Sequence, residues 1–396
     1  MREMASDRTQ VGIVGAGPAG LVLAKLLHLE GIESVVLEAR DREYVQHRVR
    51  AGVLEQGTVD LLREMGVGER LDREGIEHHG IELRFDGRGH RIPMTDLTGR
   101  SITIYGQQEV VKDLIEARLA DGGELLFEVG DVTLHGIDGD EPSIRFEHDA
   151  RDRELRCDVI AGCDGFHGVC RDAVPPGVLT YHEREYPYAW FGILAEVAPS
   201  TEELIYTYHD NGFALHSLRS PELSRLYLQV DPGDSVDNWT DDGIWDELQL
   251  RMTRDDGWTL NRGPIIEKGI TPMRSFVAEP MQYGRLFLAG DAVHIVPPTG
   301  AKGLNLAVHD VHVLAGALAK WFRTGDDGGL QGYSATCLWR VWRVQHFSWW
   351  MTSMLHRLPE PRDPFDAQLQ RAQLEYVCSS EAAAAGLAEN YVGFRH

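Results

Sequence analysis

Nowhere does this sequence run apolar for the roughly 20 residues that a membrane-spanning helix needs. The first ten residues are polar and lack the apolar centre of a secretory signal, so they read as a frayed tail. Only five cysteines are present, an odd number without a C-x-x-C pair, which argues against a disulfide framework or a zinc site. Reduced thiols and a cytosolic location are the expectation. No run of Lys and Arg offsets the formal net charge of -23, so nucleic acid and anionic membranes are not expected partners. An anionic small molecule would have to be captured by a few placed arginines. Internal repeats and low-complexity tracts are also missing.

What is present is 396 residues of ordinary globular composition, enough for two or three domains around a large core. Residues 10–14 form a short apolar strand, 18–30 carry helical spacing, and 34–37 form a second strand ending at Glu38. Residues 55–65 and 109–119 read as amphipathic helices. Residues 81–93, 125–134, 143–147 and 155–161 read as strands. From 186 to 230 the chain is rich in aromatic and β-branched residues punctuated by Gly and Pro, as an antiparallel sheet would be. Residues 245–252 follow as a helix and 286–289 as a buried strand. Helices are expected over 303–322, 330–355 and 365–378, with loops at 326–329 and 359–364. The fold class is mixed α/β. A Rossmann-like domain spans 1–179, with 78–96 lent to an antiparallel-sheet domain at 180–285. Residues 286–325 return to the first domain, and 326–396 form a C-terminal helical region.

Gly15-Ala16-Gly17-Pro18-Ala19-Gly20 follows a strand and opens a helix, and Glu38 stands eighteen residues on at the next strand's end. That is the setting a dinucleotide fingerprint requires. Gly15 permits the tight turn, Gly17 lets a pyrophosphate approach, and Gly20 lets the helix pack on the strand. The helix N-terminus offers free N–H groups to the pyrophosphate, and Glu38 can accept from ribose hydroxyls. The fingerprint alone does not separate NAD from FAD. Three further features do so: the strand ending in Gly290-Asp291, whose carboxylate can hold a ribityl hydroxyl; the loop 297–305, which enters a helix at Gly303, Leu304 and Asn305; and Asp164-Gly165 after a strand, with Arg171 beyond it. They mark the domain at 1–179 as FAD-binding.

With these in place the chain resembles the group A flavoprotein aromatic hydroxylases over almost its whole length, from about residue 9 to about 393. The likeness is carried by residues 48–57, 160–168, 290–305 and 347–353. Departures are a longer N-terminus, Gly168 where the wider superfamily has Ser, Val293 for a common Ala, and Ala39 where relatives carry an arginine. The resemblance implies that NAD(P)H reduces bound FAD and that O2 then supplies oxygen through a flavin C4a-hydroperoxide. The implied reaction is hydroxylation of 4-hydroxybenzoate at its 3-position, with another substituted benzoate as the alternative substrate. It implies that Ser217, Arg219 and Tyr227 hold the substrate carboxylate, which makes 180–285 the substrate-binding domain. Tyr206 would meet the phenol, Tyr391 would bond to Tyr206, and His78 would connect the pair to solvent, with the Pro298 carbonyl also facing the phenol. Arg48, Arg50, Gln107 and Arg225 are implied to contact or steer the flavin, and Arg40, Arg50, His167 and Arg274 to line the nicotinamide approach.

A flavin-binding escort of prenylated proteins would share Gly15 and Glu38 but would need neither the Tyr206–Tyr391 pair nor Arg219. No separate nicotinamide-binding domain is visible, so the donor is expected to dock transiently. Trp339, Trp342, Phe347, Trp349 and Trp350 crowd the C-terminal helices, and a homodimer through this region is expected.

Overall fold

The computed structural model describes residues 5–48, 52–360 and 363–394. Five parallel strands form its first sheet, in the spatial order Leu286–Leu288, Arg151–Gly162, Ala5–Val14, Ser34–Leu37 and Glu124–Leu126. Antiparallel strands Gln282–Tyr283, Ser143–His148 and Gly130–His135 flank them. The central strands are buried on both faces, as a parallel sheet covered by helices requires. Residues 5–9 are strand rather than a frayed tail. They pair with Arg153 to Cys157, and the Arg8–Asp158 ion pair at 2.6 Å holds them to that strand.

A second sheet of eight strands runs Arg88–Ile92, Ile81–Phe85, Leu204–Thr207, Ala214–Ser220, Leu223–Val230, Thr180–Glu196, Ile265–Glu279 and His294–Ile295. It is antiparallel except where Leu204–Thr207 lies parallel to Ile81–Phe85. Side chains alternate between its faces. Phe191, Ile193 and Ala195 pack with the helix Asp241–Arg251 on one side. Tyr188, Trp190, Tyr206 and Leu215 pack with the C-terminal helices on the other. Those helices are Gly303–Thr324, Gly328–Leu355, Pro364–Ser379 and Glu381–Val392.

The fifteen-residue strand Ile265–Glu279 and the final helix were not read from the sequence. Gly269 and Pro272 interrupt the strand's alternation. The final helix is capped by Ser380, whose hydroxyl accepts from the Ala383 N–H, but its alanine run gives periodicity nothing to register.

Candidate active site

The cofactor cradle is built from backbone conformation. Gly15 has φ +106°, and a Cβ there would lie 2.3 Å from the Cys163 carbonyl oxygen. A Cβ on Gly20 would meet the Gly15 oxygen at 1.9 Å. At Gly17 the same test finds nothing within 4 Å, so the protein itself does not demand glycine there. An open approach at that point, over the N-terminus of the helix Pro18–Leu29, fits a pyrophosphate. Glu38 accepts from the Ala16 and Arg40 N–H groups, both at 2.8 Å, which fixes its carboxylate beside the cradle with lone pairs to spare. Asp164 accepts from the Cys170 N–H through Oδ2, while its other oxygen is buried without a partner, and burial raises its pKa. A Cβ on Gly168 would come within 2.1 Å of that carboxyl carbon, so a side chain there would displace Asp164.

The turn Gly290–Ala292 presents Asp291 at the surface. Three groups hold it from behind. Asp310 Oδ2 accepts from the Gly290 N–H at 3.0 Å and meets His294 Nε2 at 2.6 Å, and Arg171 donates to the Ala292 carbonyl at 2.9 Å. Asp310 was missed in the sequence because its partners lie sixteen and twenty residues away. Gln107 opens the helix Gln107–Ala120. Arg50 falls outside the described residues.

Asn305 spends its side chain on the protein. It accepts from the Glu55 N–H and the Thr58 hydroxyl and donates to the Val53 and Ala301 carbonyls, with only 2% of its surface exposed. It pins residues 53–58 to the helix Gly303–Thr324, where Gly303 and Leu304 lead. Beside it, Glu55 takes both Lys302 and Arg340 at 2.7 Å. Burial alone would raise the Glu55 pKa, but the two cations outweigh it and keep the carboxylate ionised. Lys302 also donates to the Tyr391 carbonyl, which ties the last helix to the cradle.

The substrate face lies on the second sheet. Tyr206, Leu215, Tyr227 and Gly192 stand opposite one another across four strands, and Ser217 and Arg225 form the next row on the same face. A Cβ on Gly192 would come 2.8 Å from the Arg225 guanidinium and 3.3 Å from Tyr227, so glycine keeps room for both. Arg219 sits where the register shifts between Leu218 and Ser220, an irregularity that re-aims a side chain. It donates to the Leu218 carbonyl at 3.2 Å and lies 3.5 Å from the Ser217 hydroxyl. Among the described residues no carboxylate lies within 4 Å of it, its Nε is buried without a partner, and desolvation lowers its pKa. Arg225, by contrast, pairs with Glu267 at 3.2 Å and stacks over Tyr227.

At the other end, the Tyr206 and Tyr391 hydroxyls meet at 2.5 Å, and Tyr206 donates to the Thr299 carbonyl at 3.2 Å. Burial pushes both phenols above their ordinary pKa, so both are neutral. Pro298, expected to turn its carbonyl toward the substrate phenol, accepts from the Ala301 N–H at 2.9 Å, next to the Thr299 carbonyl that receives the Tyr206 hydroxyl. His78 differs from expectation. It is fully buried, neither ring nitrogen has a hydrogen-bond partner, and desolvation pushes its pKa down to about 4. The structure does not join it to Tyr391 or to solvent by a bond.

Of the residues expected at the nicotinamide approach, Arg274 lies 4.7 Å over the Phe166 ring and His167 packs edge-on against the same ring. Arg40 sits elsewhere, over exposed Tyr44 with Arg48 on the same ring.

Comparison with known proteins agrees with this geometry. The family model described as an FAD binding domain matches residues 8–348. The p-hydroxybenzoate hydroxylase of Acinetobacter baylyi is 48% identical over 98% of this chain and 96% of its own length. The chain belongs to the group A flavoprotein hydroxylases. Its cofactor is FAD, with NAD(P)H as electron donor, and its fold is the mixed α/β one expected. The 3-amino-4-hydroxybenzoate 2-monooxygenase of Streptomyces cremeus is 25% identical over 78% of each chain. The solved p-nitrophenol 4-monooxygenase from Pseudomonas putida superposes with a TM-score of 0.82 at 20% identity, covering 99% of this chain and all of that one, and speaks for the fold. None of the described helices is long and apolar enough to cross a membrane.

Proposed function

We propose that this flavoprotein hydroxylase converts 4-hydroxybenzoate to 3,4-dihydroxybenzoate. Arg219 carries the reading: a desolvated guanidinium with no carboxylate within 4 Å among the described residues, beside Ser217 on the strand next to that of Tyr206. A benzoate supplies the missing anion, and a para hydroxyl then points toward the buried tyrosine pair. The fork of Arg219 suits a carboxylate bidentately, with Ser217 and Tyr227 adding hydroxyls. FAD, held by the Gly15–Gly20 turn, Glu38 and the Asp291 turn, would supply the oxygen activation, with NAD(P)H as reductant and O2 as oxidant. One oxygen atom enters the ring ortho to the hydroxyl and the other leaves as water, while the donor becomes NAD(P)+. Tyr206 would accept a hydrogen bond from the substrate hydroxyl and pass its own proton toward Tyr391, so that electron density rises at the ortho carbon. The protein's part is orientation, proton control and exclusion of water. His78, buried and neutral, would join this route when the site rearranges.

The test is direct. 4-Hydroxybenzoate should perturb the flavin spectrum, accelerate NAD(P)H oxidation and yield 3,4-dihydroxybenzoate by chromatography. Rapid oxidation without that product would reject the reading.

We also infer a homodimer in the cytosol. Phe347 is buried and Trp350 half-buried, but Trp339, Trp342 and Trp349 remain 66%, 42% and 39% exposed. Phe365, Leu369 and Tyr376 on the next helix are more than half exposed. That much apolar surface favours a partner.

A further inference from the structure

His356 follows the long helix Gly328–Leu355 and is completely buried. Its Nε2 accepts from the Trp190 indole N–H at 2.6 Å, and its Nδ1 lies 3.0 Å from the Thr352 carbonyl. An indole N–H can only donate and a carbonyl can only accept, so the two bonds select one neutral tautomer, with the proton on Nδ1. Desolvation, which pushes the pKa down to about 3, keeps the ring in that form at neutral pH.

The ring lies in an aromatic stack, 4.4 Å from Phe213 and 4.7 Å from Tyr188. Trp190 leans in turn on Tyr227, with ring centroids 4.7 Å apart. Thr352 reaches the opposite end of the pocket. Its hydroxyl is 2.8 Å from that of Thr299, whose carbonyl receives the Tyr206 hydroxyl.

We infer that His356 is a positioning residue for substrate binding, holding the Trp190 indole against Tyr227 and so setting the carboxylate end of the pocket. The inference rests on the 4-hydroxybenzoate reading above. A phenylalanine would fill the same stack, so packing does not call for histidine; the acceptor for Trp190 does. Without it a buried indole N–H is left unpaired, and the indole turns away to find a partner, releasing Tyr227.

The test is a double-mutant cycle on 4-hydroxybenzoate affinity, read from the flavin absorbance of the holoenzyme, with parent, His356→Phe, Trp190→Phe and the double variant. His356→Phe should bind about tenfold more weakly, and in the Trp190→Phe background the same change should cost less than about twofold. His356→Gln, which retains an acceptor and a donor, should stay near the parent. Parent-like affinity in His356→Phe, or a loss repeated in full beside Trp190→Phe, overturns the inference. Trp190→Phe alone reads the bond from its other end: unchanged affinity there overturns the inference even where His356→Phe does not fold. A parent enzyme that leaves 4-hydroxybenzoate unbound overturns the substrate reading and this inference together, whereas binding with additive losses overturns the inference alone.

Discussion

The two ends of the proposed pocket are built on opposite principles. The carboxylate end is charged and local: Ser217 and Arg219 are two residues apart on one strand, with Tyr227 on the next. The phenol end is neutral and assembled from three distant elements: Tyr206 on a strand, Thr299 in a turn and Tyr391 on the last helix. A charge left without a partner binds; a pair of neutral phenols 2.5 Å apart can move a proton without stabilising an ion beforehand. The difference assigns affinity to one end and reactivity to the other.

The largest effect should come from the charged end. Arg219→Ala is expected to weaken 4-hydroxybenzoate binding by roughly 2–5 kcal/mol, about thirtyfold to a few thousandfold, with FAD content unchanged. Titration of flavin absorbance measures it, and unaltered affinity would remove the carboxylate clamp from the account.

Tyr206→Phe should do the reverse. Substrate should bind within a few-fold of the parent and NAD(P)H should still be consumed, but the yield of dihydroxy product per nicotinamide should collapse, with peroxide released instead. A yield close to the parent's breaks the division of labour between the ends.

Acid should act through the buried, neutral histidines and at neither end's reactive groups. His78, His216 and His356 have folded pKa values of about 4, 3 and 3, all below the ordinary 6.5. Between pH 6.5 and 4 the unfolded chain binds protons that the folded chain refuses, so stability falls as pH falls through that window. Each histidine contributes a slope approaching about 1.4 kcal/mol per pH unit. Urea unfolding at pH 5 and pH 7 should show the loss, and His216→Gln should flatten it by about that one increment. An unchanged slope in this variant would mean that His216 charges in the folded protein.

The smallest expected effect lies outside the pocket. In the segment 38–44 Ala39 removes a cation, Arg40 and Arg42 alternate with Asp41 and Glu43, and Arg40 stacks on Tyr44. Such a balanced segment gives a 2′-phosphate little net attraction. NADH should therefore serve at least as well as NADPH in kcat/KM. A strong NADPH preference that fades with salt would show that Arg40 and Arg42 form a phosphate site.

The cradle was legible because it is local: Gly15, Gly17, Gly20 and Glu38 lie within one β-α-β unit, and their spacing carries the geometry. The phenol end was named only through resemblance, since no pattern in the sequence connects Tyr206 with a residue 185 positions away. Nothing local marks Glu55 as the anchor of Lys302 and Arg340 either, 247 and 285 residues distant. The local partners of Pro298, Thr299 and Asn305 could not be read from the sequence either, because backbone orientation inside a tight turn is not written in residue identity. His356 escaped notice because a lone histidine at a helix end looks solvated until Trp190 is folded against it.

The polarity of the pocket is tested most directly by pairing 4-hydroxybenzoate with 4-hydroxybenzamide, which keeps the shape and the phenol but loses the charge. The parent should prefer the acid by about thirtyfold or more, from a charge pair worth roughly 2 kcal/mol or above, and Arg219→Ala should bind the two alike. An acid preference that survives the loss of Arg219 would contradict the account, because the carboxylate would then be held somewhere else.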